Sequence, residues 1–146
     1  MQTFVPEGLN FELGFENLDY KRLGKQRVEA WQILNSIRRI DNSGNPLISR
    51  GWISHPATRM WSNYPRALAL YGIMCCEEWI NRGYKDSLFD RFVNVYESMK
   101  HENPEPPAFL DDLMESHRSN LIRKYPEYYQ PIWPNTPNDI PYLWPV

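Results

Sequence analysis

Apolar positions recur at helical spacing in several stretches of this chain, and nowhere do they alternate with a sustained period of two. Over about 18–40, Leu23, Val28, Trp31, Leu34 and Ile37 follow one another at three- to five-residue intervals, which predicts a long helix. Ser54 ahead of Pro56 reads as the N-cap of a short helix running to Trp61. Asn63 and Pro65 open a longer helix over about 65–82, with Leu68, Tyr71, Cys75 and Trp79 as its apolar stripe and Gly83 as its stop. Asp86 or Ser87 caps the next, in which Phe89, Phe92, Val93, Tyr96 and Met99 are expected to face inward. A proline-rich link at 104–107 leads to a last helix over about 109–124. The first 19 residues read as irregular because Pro6, Gly8 and Gly14 interrupt any long period. Beyond Pro126, prolines at 131, 134, 137, 141 and 145 are expected to exclude regular helix. The pattern therefore predicts an all-α chain, one compact multi-helix domain over 1–146. Its Pro/Trp-rich tail, 126–146, is expected to be extended and held to the body by Trp133, Tyr142 and Trp144.

A chain of 146 residues can bury a sizeable core without disulfides or metals, and 42% hydrophobic residues argue against disorder. The richest apolar stretch, 67–76, is too short to span a membrane, and the start of the chain lacks the pattern of a signal peptide. A cytoplasmic protein is the expectation. Cys75 and Cys76, adjacent and in a helical stretch, are poorly placed to pair and read as free thiols. None of the three histidines has a second ligand at zinc spacing, so neither metal nor cofactor is expected.

Net charge is −2, with a sequence pI of about 5.9, against the basic excess common in duplex-scanning proteins. Three polar groups nonetheless stand out. Lys21, Arg22, Lys25 and Arg27 place four cations within seven residues of the first long helix. His55 and Arg59 share a helical face, with Trp61 and Tyr64 close by. His117, Asn120 and Lys124 share another face, flanked by Arg118 and Arg123, with tyrosines immediately following. Cations mixed with aromatic rings suit a ligand with phosphates to pair and bases to stack. The alternative for each group is a solvated or salt-bridged helix face, or, for a histidine at a helix start, a structural role.

The basic stretch from Leu23 to Arg27, His55 with its aromatic neighbours, the run Glu78-Trp79-Ile80-Asn81-Arg82-Gly83-Tyr84, and Asn120-Leu121 followed by Tyr125-Pro126-Glu127-Tyr128-Tyr129 together resemble one family. It is that of the pyrimidine-dimer DNA glycosylases typified by phage endonuclease V, especially its bacterial and phage relatives. The resemblance implies an all-α, base-flipping glycosylase. Its nucleophile would be the chain's α-amine, assisted by a glutamate on the first long helix. In this chain Gln2 is too bulky for removal of the initiator, which makes the amine that of Met1, with a reference pKa of about 7.7–8.0. Arg22 stands where the resemblance expects the glutamate. Glu29, seven residues on and roughly 10 Å along the axis, is the substitute carboxylate if the helix is shifted. Met1 and Glu29 are thus the expected catalytic pair. Arg22, Lys25, Arg27, His55, Arg59, Trp61, His117, Arg118, Asn120, Arg123 and Lys124 are the expected contacts to DNA or a nucleotide. The rival reading is a non-catalytic protein that binds a small nucleotide or short single strand in the same cleft. A purely structural domain, with all three groups solvated, is a third.

Overall fold

The computed structural model describes residues 2–48 and 50–145. Helix makes up 55% of the chain, and no strand is formed among the described residues; an isolated bridge joins Ile40 to Pro46. In chain order the helices are α1 (Phe11–Glu16), α2 (Tyr20–Arg38), α3 (Pro56–Trp61), α4 (Pro65–Asn81), α5 (Phe89–Ser98), α6 (Met114–Lys124) and α7 (Pro126–Tyr129). A 3-10 turn, Ala108–Leu113, leads into α6.

α2 is the central element because it packs most extensively on α4, which in turn carries α1 and α5. Its buried stripe is Leu23, Gln26, Ala30, Trp31, Ile33 and Leu34. Val28, expected to face inward, is exposed, because five residues beyond Leu23 lies off the stripe that steps of three and four define. Gly24 is required by the contact with α4: a Cβ there would meet the Trp79 ring at 2.8 Å. Gly72 is tighter still, with Phe92 of α5 filling the place a side chain would take.

Several boundaries differ from expectation for local reasons. The stretch read as irregular contains α1, because Asn10 accepts a hydrogen bond from the Leu13 N–H and so caps it, while Gly14 is buried within it. The cap of α3 is His55 rather than Ser54, its Nδ1 accepting from the Ala57 N–H at 3.0 Å. Asp86, one of the two expected caps, accepts from the Leu88 and Phe89 N–H groups at the start of α5. The helix expected over 109–124 is 3-10 in its first part. Pro126 opens α7 instead of forbidding it, since a proline at the first helical position lacks only an N–H that would have no partner there.

The tail is fastened to α6. Arg123 donates to the carbonyls of Asn138 and Ile140, the Ile140 N–H donates to Ser119 Oγ, and the Leu143 N–H donates to Ser116 Oγ. Trp133 stacks on Tyr129 with the rings nearly parallel. Cys75 and Cys76 are buried and unpaired, and burial holds both thiols well above their usual range, which leaves neither as a nucleophile at neutral pH.

The Gly72–Phe92 contact gives a direct check on this packing. A Cβ at Gly72 would lie 2.3 Å from Phe92 Cε1, so Gly72→Ala is expected to lower stability by about 1–3 kcal/mol, read from the urea midpoint at constant slope.

Candidate nucleic-acid interface

The first residues of the chain enter the helical core as an extended segment, and side chains satisfy nearly all of its backbone N–H groups. The Gln2 N–H donates to Glu29 Oε2 at 3.3 Å, the Phe4 N–H to Gln26 Oε1 at 2.8 Å, and the Val5 N–H to His117 Nδ1 at 2.9 Å. The Thr3 N–H turns to the Gln2 side chain, and Thr3 Oγ1 accepts from Trp61 Nε1 at 2.8 Å. Gln26 also donates from Nε2 to the Gln2 carbonyl at 2.9 Å and to Glu29 at 3.2 Å. The Tyr71 hydroxyl lies 2.8 Å from the Phe4 carbonyl.

Beside this segment opens a cleft of about 410 Å³, lined by Gln2, Phe4, Lys21, Arg22, Lys25, Gln26, Glu29, Lys124 and Tyr142. Glu29 is its carboxylate. Besides the two bonds above it pairs with Lys25 at 3.7 Å, and its side chain is only 12% exposed. Arg22 is steadied by Asp19, the N-cap of α2, at 3.1 Å. Asp19 is itself held by the Tyr129 hydroxyl. Lys21 and Lys124 make no ion pair among the described residues. The cleft therefore places four cations and one carboxylate around the entry point of the chain's first residues, and the Tyr142 ring closes one side.

The expected site residues separate into those that reach the cleft and those that do not. Arg22, Lys25, Lys124 and Glu29 line it. Met1 lies outside the described residues. His55 sits at the edge of the cleft, its ring 6.0 Å from Trp144, whose neighbour Tyr142 is a cleft wall. Burial lowers the His55 pKa while the Glu29 carboxylate opposes that shift. Arg59 is exposed on α3 and its side chain makes no ion pair among the described residues.

The remaining six expected contacts are engaged within the protein. Trp61 is fully buried. Arg27 is paired with Asp86 and lies over the Trp79 ring at 4.6 Å. Arg118 is bound to Glu7 at 2.7 Å and to the Pro6 carbonyl, and it lies over the Trp133 ring. Asn120 is buried and donates to the Ser116 carbonyl, while Arg123 holds the tail. His117 is completely buried behind the cleft wall, 5.7 Å from the Phe4 ring and 6.4 Å from Tyr142. The third polar group therefore serves mainly as a clamp for the two chain ends, with only Lys124 reaching the cleft.

Gln2, Phe4, Lys21, Gln26 and Tyr142 were not expected at the site. Lys21 belongs to the basic run and was within reach of sequence reasoning. The others carry no local signal, because their place depends on the chain start and the tail meeting at α2. Among the described residues no group of three or more His, Cys, Asp or Glu is placed to hold a metal ion.

The model of the pyrimidine dimer DNA glycosylase family matches residues 1–92, which span α1 to α4 and every cleft residue except Lys124 and Tyr142. The chain belongs to this family. No curated protein and no solved structure matches it.

His117 supplies a test of the packing behind the cleft. Burial pushes its pKa down to about 3, whereas an unfolded histidine titrates near 6.5. Below pH 6.5 the unfolded chain takes up a proton that the folded imidazole refuses, so stability falls as pH drops toward 3, by roughly 1.4 kcal/mol per unit at most. Urea denaturation at pH 7 and pH 5 should show this loss in the wild type. His117→Gln should be less stable at pH 7 but should lose correspondingly less on acidification.

Proposed function

We propose that this protein is a DNA glycosylase that removes a damaged or modified pyrimidine, using the α-amine of Met1 as nucleophile and Glu29 as its carboxylate partner. The single observation that carries this reading is the bond from the Gln2 N–H to Glu29 Oε2. This bond joins Glu29, the only carboxylate lining the cleft among the described residues, to the residue that follows Met1 in the sequence. Seven residues separate Glu29 from Arg22, and the bonds from the chain start to Gln26 and Glu29 support Glu29 in this role despite that spacing.

In this mechanism the neutral amine attacks C1′ of an extruded nucleotide. The N–C1′ bond forms as the C1′–base bond breaks, and the electron pair leaves with the base. Extrusion is required because C1′ is shielded within the stack. Glu29 accepts the proton that the attacking nitrogen must lose, and the sugar ring opens to an imine. Gln26, tied to both Gln2 and Glu29, fixes the distance between nucleophile and base. Lys21, Arg22, Lys25 and Lys124 hold the flanking phosphates, with Arg59 and His55 contributing from α3. The amide bonds along the chain start also limit the conformational freedom lost on reaching the attack geometry.

A duplex bearing an abasic site tests the chemistry without knowledge of the true base. Attack by the amine on its sugar aldehyde gives an imine, with loss of water, that borohydride reduces to a stable protein–DNA crosslink. The crosslink should form with the wild type and disappear after acetylation of the chain's amino terminus, since an amide nitrogen cannot form an imine. Glu29→Gln should slow trapping by about 10²–10⁴-fold while binding stays within a few-fold. Tight binding of a labelled dinucleotide with no crosslink under any of these conditions would instead establish the non-catalytic nucleotide-binding reading.

A further inference from the structure

The polar face of α2 continues beyond Glu29. Steps of four, three and four residues carry the same face of α2 from Lys25 through Glu29 and Gln32 to Ser36. At its far end lies a second cavity of about 260 Å³, lined by Gln32, Asn35, Ser36, Asp41, Asn42, Leu47 and Trp52. From Lys21 to Ser36 the helix rises about 22 Å.

An aromatic series runs beside this face. Tyr142, a wall of the first cleft, lies 5.8 Å from Trp144; Trp144 is 6.0 Å from His55; and His55 is 5.8 Å from Trp52, a wall of the second cavity. Its two ends line the two cavities, so the series runs from one cavity to the other, and each cavity is also lined by residues of the polar face of α2. Trp52 is 43% exposed, which leaves much of its indole available.

The second cavity carries polar groups with nothing to bond. Asn35 is 8% exposed and Ser36 2%, yet Asn35 Oδ1 and Ser36 Oγ have no hydrogen-bond partner among the described residues. Asn42 Oδ1 already accepts from Trp31 Nε1 and Asn35 Nδ2, so its remaining amide hydrogens and the Gln32 amide complete a mixed set of donors and acceptors. Buried polar atoms without partners are costly and are usually satisfied by something that enters the site. Amides and a hydroxyl beside an indole match the edge and face of a nucleobase.

Charge indicates what lies along the groove. Arg27, Arg82 and Arg118 are tied to Asp86, Glu78 and Glu7, so they contribute little to an outward field. At the groove Arg22 and Lys25 are likewise paired, with Asp19 and Glu29, and only Lys21 and Lys124 make no ion pair among the described residues, on a chain of net charge −2. That suits one phosphate backbone followed along a narrow track, with aromatic rings taking the bases. It is poor for the two backbones of a duplex.

Resting on the glycosylase reading, we propose that the substrate is an unpaired DNA strand lying along α2. Its attacked sugar sits at Glu29, its bases stack on the series from Tyr142 to Trp52, and a neighbouring base enters the Asn35–Ser36 cavity.

Fluorescence anisotropy with a labelled 12-nucleotide oligothymidylate, and with the same strand in a blunt duplex, tests this directly. The single strand should bind at least tenfold more tightly. Trp52→Ala should weaken single-strand binding on the order of tenfold without affecting duplex binding, and Trp52→Phe should restore most of it. Trp52 is a half-exposed side chain, so the variant should fold, and an unchanged melting temperature checks that. Equal or tighter duplex binding, no binding to either form, or insensitivity to Trp52→Ala would each overturn the proposal. Borohydride trapping on abasic single strand and abasic duplex separates the two claims. A crosslink on the duplex alone would overturn this inference and leave the glycosylase reading intact. Single-strand binding with the predicted Trp52 dependence but no crosslink on either form would overturn the chemistry and leave the binding path.

Discussion

Everything at the site depends on one constraint: residues 2–5 are buried and lie outside any helix, so their backbone groups must find partners inside a helical body with no strand among the described residues. Glu29, Gln26 and His117 provide them, with Trp61 fixing Thr3 and Tyr71 reaching the Phe4 carbonyl. A buried amide left without a partner costs about 1–3 kcal/mol, so this small set of side chains determines where the chain start lies. The same set determines where the carboxylate lies, because Glu29 is one of the partners. In the proposed mechanism, structure and chemistry are therefore coupled at a single hydrogen bond.

The coupling extends to the other end of the chain. His117 binds Val5 and lies against Phe4, while the next turn of α6, through Ser119, Asn120 and Arg123, holds the tail that presents Tyr142 and Trp144 to the groove. α6 is thus a clamp between the two termini. Its polar residues, which on a sequence look like ligand contacts, are used for this purpose. His117 in particular is kept neutral by burial, as an acceptor of a backbone N–H requires.

The fold was largely legible in the sequence because α2, α4 and α5 are set by apolar spacing and by acceptors ahead of a helix start such as Asp86, all local signals. α1 was not, since its six residues contain a glycine and too few positions to show a period. The cleft was half legible. Lys25, Arg22 and Lys124 stood out by charge, but the partly buried, ion-paired Arg27 and Arg118 carry the same charge and cannot be told from them without knowing that Asp86 and Glu7 lie opposite. Glu29 was legible as a nearby carboxylate, whereas its closeness to the chain start was not, because helix spacing measures distance along α2 and the N-terminal segment crosses that distance from outside. Tyr142 and Gln2 carry no signal of their own, as only tertiary packing brings the two ends of the chain together.

In the proposed mechanism the amine one residue from Gln2, and not a side-chain amine of the cleft, is the attacking group. Lys25 is the strongest competitor, since its ammonium is also beside Glu29, at 3.7 Å. Proteolysis of a borohydride-trapped abasic-site adduct, followed by tandem mass spectrometry, separates them in one measurement. The sugar-derived mass should fall on the α-nitrogen of residue 1. The same mass on Lys21, Lys25 or Lys124 would contradict the proposed mechanism.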